Sequence, residues 1–209
     1  KWGLKPEERV ILQAARLTGW KGQRVLIEAV RQLKKSGDLA HVRLVLAGDT
    51  QGRDGYRAEL ESLIASAHLH DEVLIAGHVD DIAAALQLAH VTVIASTEPE
   101  AFGRTATEAQ VMGCPVIATN LGAPPETVLA EPRARPDQIT GWLVPAADPA
   151  ALASALRSSL ALPNAQREAM GQRARRHVLE NFSLSAMRRA TLEVYDSLLG
   201  SGLAAALRR

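Results

Sequence analysis

The strongest constraint on the fold is an alternation between short apolar runs and longer segments of helical period. Residues 42–47 (VRLVLA) form a run that is aliphatic except for Arg43 and that is closed by Gly48 and Asp49. In residues 23–35, by contrast, apolar side chains recur every three or four positions, which is typical of an amphipathic helix. Strands that alternate with helices need crossover connections, and these produce a parallel sheet with helices on both faces. Continuously apolar strands fit such a sheet because both of their faces are covered.

This pattern predicts an α/β domain, a doubly wound parallel sheet of about six strands followed by C-terminal helices. The predicted strands are residues 10–15, 42–47, 73–76, 91–95, 115–118 and 142–144. The predicted helices are residues 23–35, 56–68, 82–89, 103–112, 125–129, 149–161, 163–180 and 183–199. Segment 130–138 contains two prolines and no periodicity, so it is predicted to be a loop rather than a domain linker.

Charge and composition exclude several functional classes. The 209 residues include 24 Lys and Arg against 23 Asp and Glu, and only 3% are aromatic, so the chain lacks the basic field and the stacking surface of a nucleic-acid binder. The single cysteine, Cys114, excludes an internal disulfide and a multi-cysteine zinc site, and it fits a reducing, cytoplasmic setting. No apolar run is long enough for a membrane span. Because the chain begins at Lys1, we expect it to be part of a longer protein.

The candidate site follows from the topology. Ligands of open α/β sheets bind beyond the carboxyl ends of the strands. The segments that follow the first five predicted strands are polar or rich in glycine, and they are residues 16–22, 48–50, 77–81, 96–104 and 119–126. Parallel strands would bring all of them to one edge of the sheet. Together they offer cations, carboxylates and accessible backbone, which suit a ligand that carries phosphate and hydroxyl groups.

Two of these segments are more specific than the others. Arg16 and Lys21 flank a turn that contains glycine, where a guanidinium and an ammonium could hold phosphate oxygens. The alternative is that both are solvated cations on a loop. A helix that begins near Gly103 has no Ser, Asp or Asn at its N-cap, so its first N–H groups are left for an acceptor such as a diphosphate. Glu100 and Glu108 are expected to face the same crevice and to bind sugar hydroxyls, although an ordinary acidic first turn is the alternative.

Other chemistries lack their motifs. The sequence contains no Walker loop, no G-x-G-x-x-G after the first strand, no nucleophile elbow and no Asp-x-Asp pair. His68 and His70 have no evident third ligand, so no metal and no cofactor is predicted. The basic clusters at residues 173–177 and 188–189 are interpreted as a solvated face, with contact to anionic lipid as the alternative.

The same residues carry a resemblance to a known family. Glu100, the Phe102-Gly103 pair and Glu108, followed by Gly113-x-Pro115, resemble the signature of the retaining family 4 (group 1) glycosyltransferases. The segment from Arg16 to Lys21-Gly22 resembles their diphosphate clamp. A later loop, residues 122–126, also resembles theirs, although Ala123 stands where the family often has a second glycine. The match extends from about residue 10 to residue 182.

This resemblance implies a GT-B architecture, in which two Rossmann-like domains face each other across a cleft. The chain resembles only the C-terminal, donor-binding half. Residues 1–182 would form the nucleotide-sugar-binding domain and residues 183–209 a crossover helix and tail, and the N-terminal acceptor domain would be missing. The resemblance implies that the catalytic residues are Glu100, Arg16 and Lys21, and that the donor-binding residues are Gly77, His78, Val79, Asp80, Ala101, Phe102, Gly103 and Glu108.

The implied activity is retaining transfer of a sugar from a nucleoside diphosphate, of the UDP or GDP type, to a glycan or lipid-linked acceptor. Neither a metal nor another cofactor is implied, in agreement with the absent Asp-x-Asp pair. The full enzyme would work in the cytoplasm or at the inner face of the membrane, where peripheral contact with the membrane is conceivable. The isolated chain is expected to be inactive without its acceptor domain. Three alternatives stay open, namely a GT-B-fold nucleotide-sugar epimerase, a non-catalytic nucleotide-binding module and a structural subunit.

Overall fold

The structure is a computed structural model that describes residues 2–52 and 54–206. The strands are β1 (Arg9–Ala14), β2 (Val42–Ala47), β3 (Val73–Gly77), β4 (Ala89–Ile94), β5 (Val116–Thr119) and β6 (Gly141–Val144). The helices are α1 (Gln23–Lys35), α2 (Asp54–Ser66), α3 (Ile82–Leu88), α4 (Arg104–Val111), α5 (Pro124–Thr127), α6 (Pro149–Leu160), α7 (Asn164–Asn181), α8 (Leu184–Leu199) and α9 (Leu203–Ala206). A short 3₁₀ helix (Gly19–Lys21) precedes α1.

The six strands form one parallel sheet in the order β3-β2-β1-β4-β5-β6. The predicted fold class, a doubly wound, Rossmann-like parallel sheet with C-terminal helices, is therefore confirmed. The strand order reverses between β1 and β4, which pair through Ile11 and Val91. Such a reversal opens a crevice beyond the carboxyl ends of the two strands, because the connections from them leave in opposite directions. The topology thus predicts a crevice for a ligand beyond the carboxyl ends of β1 and β4.

Each face of the sheet has its own apolar core. Ile11 and Leu44 pack on the side of α1, α2 and α6, whereas Leu12 and Val45 pack on the side of α3 and α4. Neighbouring residues of one strand point to opposite faces, so both must be apolar when both faces are covered. Cys114 belongs to the second core, and burial raises the pKa of its thiol to about 11.

Differences from the predicted elements lie mainly at their ends. Helix α2 begins at Asp54 rather than residue 56, and β4 begins at Ala89 rather than residue 91. Helix α9 was not predicted. It begins where the Asp196 carboxylate accepts hydrogen bonds from the Ala204 and Leu203 N–H groups, and the bond from Ala204 is the largest cause that lowers the pKa of Asp196. A cap seven residues away in sequence leaves no local pattern.

Helix α8 extends from the domain and packs mainly on α9. Every side chain of α8 is at least partly exposed. Large apolar side chains lie exposed along it, and these are Leu184, Met187, Val194, Tyr195, Leu198 and Leu199. Across the described ranges, no helix combines the length and the apolar character that crossing a bilayer requires.

Candidate functional site

A cavity of about 300 Å³ lies beyond the carboxyl ends of β1 and β2. Four separate segments line it. They contribute Ala14, Ala15 and Arg16 after β1; Ala47, Gly48, Asp49 and Gln51 after β2; His78, Val79 and Ile82 after β3; and Thr105 and Glu108 on α4. Three of the five predicted polar segments, those that follow β1, β2 and β3, therefore meet at this cavity together with α4.

Arg16 and Glu108 are the charged site residues that this cavity brings together. Arg16 is exposed, and its guanidinium donates a hydrogen bond of 3.3 Å to the Gln51 side chain. Glu108 forms an ion pair of 2.9 Å with Arg104, one helical turn before it. The Arg104 side chain is 82% exposed, so this pair is held weakly and a ligand could replace the guanidinium at the Glu108 carboxylate. Cation and carboxylate thus flank one space without neutralising each other.

Lys21 and Glu100 form a second charged cluster, outside the lining of that cavity. The Lys21 ammonium donates to the Glu100 carboxylate at 2.8 Å, and both side chains are largely buried, with 15% and 12% exposed. The ammonium also lies 4.1 Å from the centre of the Trp20 ring. The buried Ser96 hydroxyl donates to the same carboxylate oxygen of Glu100. Glu100 and Glu108 therefore have different cationic partners and do not line one common cavity, contrary to the prediction that both face the same crevice.

Helix α4 presents an uncapped N-terminus to the site, as predicted. Its N-cap is Gly103, with φ 71° and ψ 51°, and the cap makes no side-chain hydrogen bond. The Thr105 hydroxyl donates to the Ala14 carbonyl at 3.2 Å, which ties the first turn of α4 to the end of β1. The α4 N–H groups and the positive end of the helix dipole thus lie next to Arg16.

The loop before α4 packs against two neighbours. The N–H of Ala123 donates to the Glu100 carbonyl at 3.0 Å, so loops 96–104 and 119–126 lie side by side. Ala101 and Phe102 are exposed, and the Phe102 ring meets that of Phe182 edge to face at 6.2 Å. The predicted sugar-contacting loop therefore touches the end of α7.

The predicted base-binding segment is divided between two cavities. His78 and Val79 line the 300 Å³ cavity and also a neighbouring one of about 660 Å³. Asp80 lines only the larger cavity, and its carboxylate lies 3.3 Å from the His78 ring. Gly77 accepts a hydrogen bond from the Gly48 N–H through its carbonyl, at 2.7 Å, which holds the two strand ends together.

A further cavity lies apart from the predicted site residues. It has a volume of about 740 Å³ and lies beside β6 between α6 and α7. Among residues 2–52 and 54–206, no group of three His, Cys, Asp or Glu side chains could hold a metal ion.

Sequence reasoning missed several polar residues that shape the site. Gln13 and Gln23 are buried beneath the loop of Arg16 and Lys21, Ser96 orients Glu100, and Arg104 pairs with Glu108. One signal was available, since Gln13 interrupts the otherwise apolar predicted strand 10–15. The other three look like ordinary loop and helix-start residues.

Comparison with known proteins identifies the family to which the chain is similar. The family model of the group 1 glycosyl transferases matches residues 1–177. The D-inositol 3-phosphate glycosyltransferase of Kineococcus radiotolerans is 34% identical over 199 residues, which cover 92% of this chain and 45% of that protein. The chain thus spans about half the length of the curated relatives that it matches.

Solved glycosyltransferase structures share the fold of this chain. A glycosyltransferase from Rickettsia africae has a TM-score of 0.82 and 33% identity over 95% of this chain and 50% of its own. HepE of Anabaena, solved with UDP and glucose, has a TM-score of 0.78 and 26% identity, covering 91% of this chain and 49% of its own. The C-terminal domain of LpcC from Francisella tularensis has a TM-score of 0.71 and 28% identity, covering 86% of this chain and 88% of that domain. Family model, relatives and fold agree, and the chain belongs to the group 1 glycosyltransferases, of which it represents the C-terminal half.

Proposed function

We propose that this chain is the donor-binding half of a retaining glycosyltransferase. It binds a nucleoside diphosphate sugar of the UDP or GDP type, and the full enzyme transfers the sugar to a glycan or lipid-linked acceptor. The observation that carries the proposal is the cavity in which Arg16, Glu108 and the His78-Val79 segment meet. HepE, a structural relative, was solved with UDP and glucose, which supports a nucleotide sugar as the ligand.

The lining of the cavity suits the parts of such a ligand in order. The base would lie against His78 and Val79, and the adjacent ribose would give its hydroxyl hydrogens to the Glu108 carboxylate in place of Arg104. The diphosphate would meet the Arg16 guanidinium and the free N–H groups of α4. Lys21 would reach the same phosphates once a ligand competes with Glu100 for its ammonium.

The chemistry follows from these charges. When the bond between the sugar and the diphosphate breaks, negative charge develops on the leaving phosphate. Arg16, Lys21 and the N-terminus of α4 stabilise that charge, so no divalent metal is needed. Glu100, held in place by Ser96, stabilises the cationic character that develops on the sugar. The acceptor would be held largely by the N-terminal domain, and the exposed apolar face of α8 would pack against that domain.

Calorimetric titration with UDP, GDP and ADP tests the proposal. We expect one of them to bind, and we expect its Kd to be unchanged in excess chelator because cationic side chains replace the metal. The Arg16→Gln variant should bind that nucleotide about tenfold more weakly, since it loses a charge-assisted contact to phosphate. The matched control is Arg57→Gln, which removes another exposed guanidinium, on α2 and outside the lining of the cavity.

Two results would contradict it. If none of the three nucleotides bound, the chain would not be a donor-binding domain. A tenfold or greater loss of affinity in chelator would show that a metal ion takes part.

A further inference from the structure

Two buried glutamines hold the loop that carries both cations. We call residues 15–22 the cation loop. The Gln13 side chain, which precedes the loop, donates from its Nε2 to the Lys21 carbonyl at 2.6 Å. The Gln23 side chain, which follows the loop, donates from its Nε2 to the Arg16 carbonyl at 2.9 Å. Each amide thus reaches across the base of the loop to the backbone of a cationic residue at the opposite end.

Both glutamines lie in the interior, which makes these bonds consequential. Gln13 is 2% and Gln23 0% exposed, so water cannot readily replace either amide at the carbonyl that it binds. Within the described ranges, the Gln13 Oε1 atom has no hydrogen-bond partner, so the amide of Gln13 is held through its Nε2 donor. Buried polar side chains are nearly always hydrogen-bonded, and here both amides donate that bond to the backbone of the cation loop.

A third residue fixes the direction of one amide. The Tyr56 hydroxyl on α2 donates to the Gln23 Oε1 atom at 3.2 Å, which leaves the Nε2 side turned toward the Arg16 carbonyl. Burial raises the pKa of Tyr56, so its hydroxyl keeps the proton that it donates. Tyr56, Gln23 and the Arg16 backbone therefore form a chain of hydrogen bonds from α2 into the cation loop.

We propose that Gln13 and Gln23, with Tyr56 behind Gln23, are positioning residues that hold Lys21 and Arg16 in place for the diphosphate of the donor. The inference rests on the proposed function and adds to it the residues that order the clamp before ligand arrives. A loop that is already ordered loses less conformational entropy on binding, and it places its charges where the leaving phosphate develops charge.

The test combines hydrogen–deuterium exchange of the free chain with calorimetry. Gln13→Met and Gln23→Met keep side-chain length and apolar packing but remove the donor. We expect amide exchange in residues 15–22 to become about tenfold faster in each variant. We expect the Kd of the nucleotide that the wild type binds to rise about five- to tenfold. Tyr56→Phe leaves Gln23 in place, and it provides a milder variant with a two- to threefold rise if Gln23→Met does not fold.

A matched control separates positioning from stability. Gln110 is also a buried glutamine, and its Nε2 donates to the Thr127 carbonyl at 2.9 Å, away from the cation loop. Gln110→Met should lower the melting temperature to a similar extent and leave both loop exchange and Kd unchanged. In an Arg16→Gln background, Gln23→Met should add less than a twofold change in Kd, because a residue that acts through Arg16 has nothing left to position.

The outcomes separate this inference from the proposed function. Unchanged loop exchange in Gln13→Met and Gln23→Met, or full additivity of Gln23→Met with Arg16→Gln, would overturn the positioning role while nucleotide binding stands. The glutamine variants could show faster loop exchange while the wild-type chain binds none of UDP, GDP and ADP. In that case the glutamines order the cation loop, but not for binding a diphosphate.

Discussion

Glu108 lines the 300 Å³ cavity and forms its ion pair with an exposed arginine. We therefore expect Glu108→Gln to weaken nucleoside diphosphate binding about ten- to a hundredfold, because a charge-assisted hydrogen bond to ribose is worth roughly 1.5–3 kcal/mol. Isothermal titration gives the two dissociation constants. Glu61→Gln, on the surface of α2 and in an equivalent ion pair with an arginine one turn away, is the control that should bind like the wild type.

Glu100 is predicted to behave differently because it competes with phosphate for Lys21. Glu100→Gln removes the partner at 2.8 Å and frees the ammonium. Binding of the nucleoside diphosphate should stay unchanged or become up to about threefold tighter, whereas turnover of the full-length enzyme should fall. The same titration, paired with a transfer assay of the full-length enzyme, checks both. If Glu100→Gln weakened binding and Glu108→Gln did not, the two roles would be reversed.

His90 makes the stability of the domain depend on pH. Burial, followed by the charges of Arg167 and Arg9, lowers the pKa of His90 from 6.5 to about 4. Between pH 4 and pH 6.5 the unfolded chain takes up a proton at His90 that the folded chain does not. His90 therefore leaves the free energy of unfolding unchanged above pH 6.5 and lowers it as the pH falls toward 4. Urea unfolding at several pH values should show a shallower decline for His90→Gln. Parallel curves for both proteins throughout this range would contradict the assignment.

At the scale of elements, α1 and α4 begin in the same way but differ in how well they tolerate a larger residue in place of the N-cap glycine. Both have a left-handed glycine as N-cap without a side-chain cap, Gly22 and Gly103. A Cβ at Gly103 would meet the Pro124 ring at an acceptable 3.5 Å, whereas a Cβ at Gly22 would overlap the Ala95 carbonyl oxygen.

Gly103→Ala should therefore lower the free energy of unfolding by about 1–2 kcal/mol, the strain of a left-handed residue alone. Gly22→Ala should lower it by more than about 3 kcal/mol, because the backbone must also move. Chemical denaturation of both variants measures the two losses. Equal losses would mean that α1 does not approach β4 as closely as the structure has it.

Helix α8 contributes little to the domain on which it stands. Leu198 is 75% exposed, while Leu156 of α6 is fully buried against the sheet. Leu198→Glu should change the free energy of unfolding by less than about 0.5 kcal/mol, and Leu156→Ala should lower it by about 2–5 kcal/mol. Thermal unfolding of the two variants measures both changes. A large loss in Leu198→Glu would mean that α8 packs on its own domain.

For the whole molecule, we predict that the isolated chain binds a nucleoside diphosphate and transfers no sugar. Four of the proposed donor-binding residues, Arg16, His78, Val79 and Glu108, line one cavity, while the chain covers only 45% of the D-inositol 3-phosphate glycosyltransferase that it resembles. A radiolabelled nucleotide sugar with candidate acceptors tests the second half of this prediction. Measurable transfer to any acceptor other than water would overturn it.

Some features of the protein were determined locally by its sequence. Helix α1 and strand β2 have the predicted ends, because hydrophobic period and a closing glycine act between near neighbours. The uncapped start of α4 was likewise readable, since the cap residue is adjacent to the helix. The parallel sheet followed from the alternation of these elements, and polar strand ends followed from the sheet.

Other features were decided only by the tertiary structure. The pairing of Lys21 with Glu100 joins residues 79 positions apart. This contact depends on the strand order, which brings β1 beside β4 rather than beside β3. No local periodicity encodes that order, because it results from the packing of both faces of the sheet at once. The sequence therefore determined which polar residues follow the strands, and the packing decided which of them share a cavity and which form ion pairs with one another.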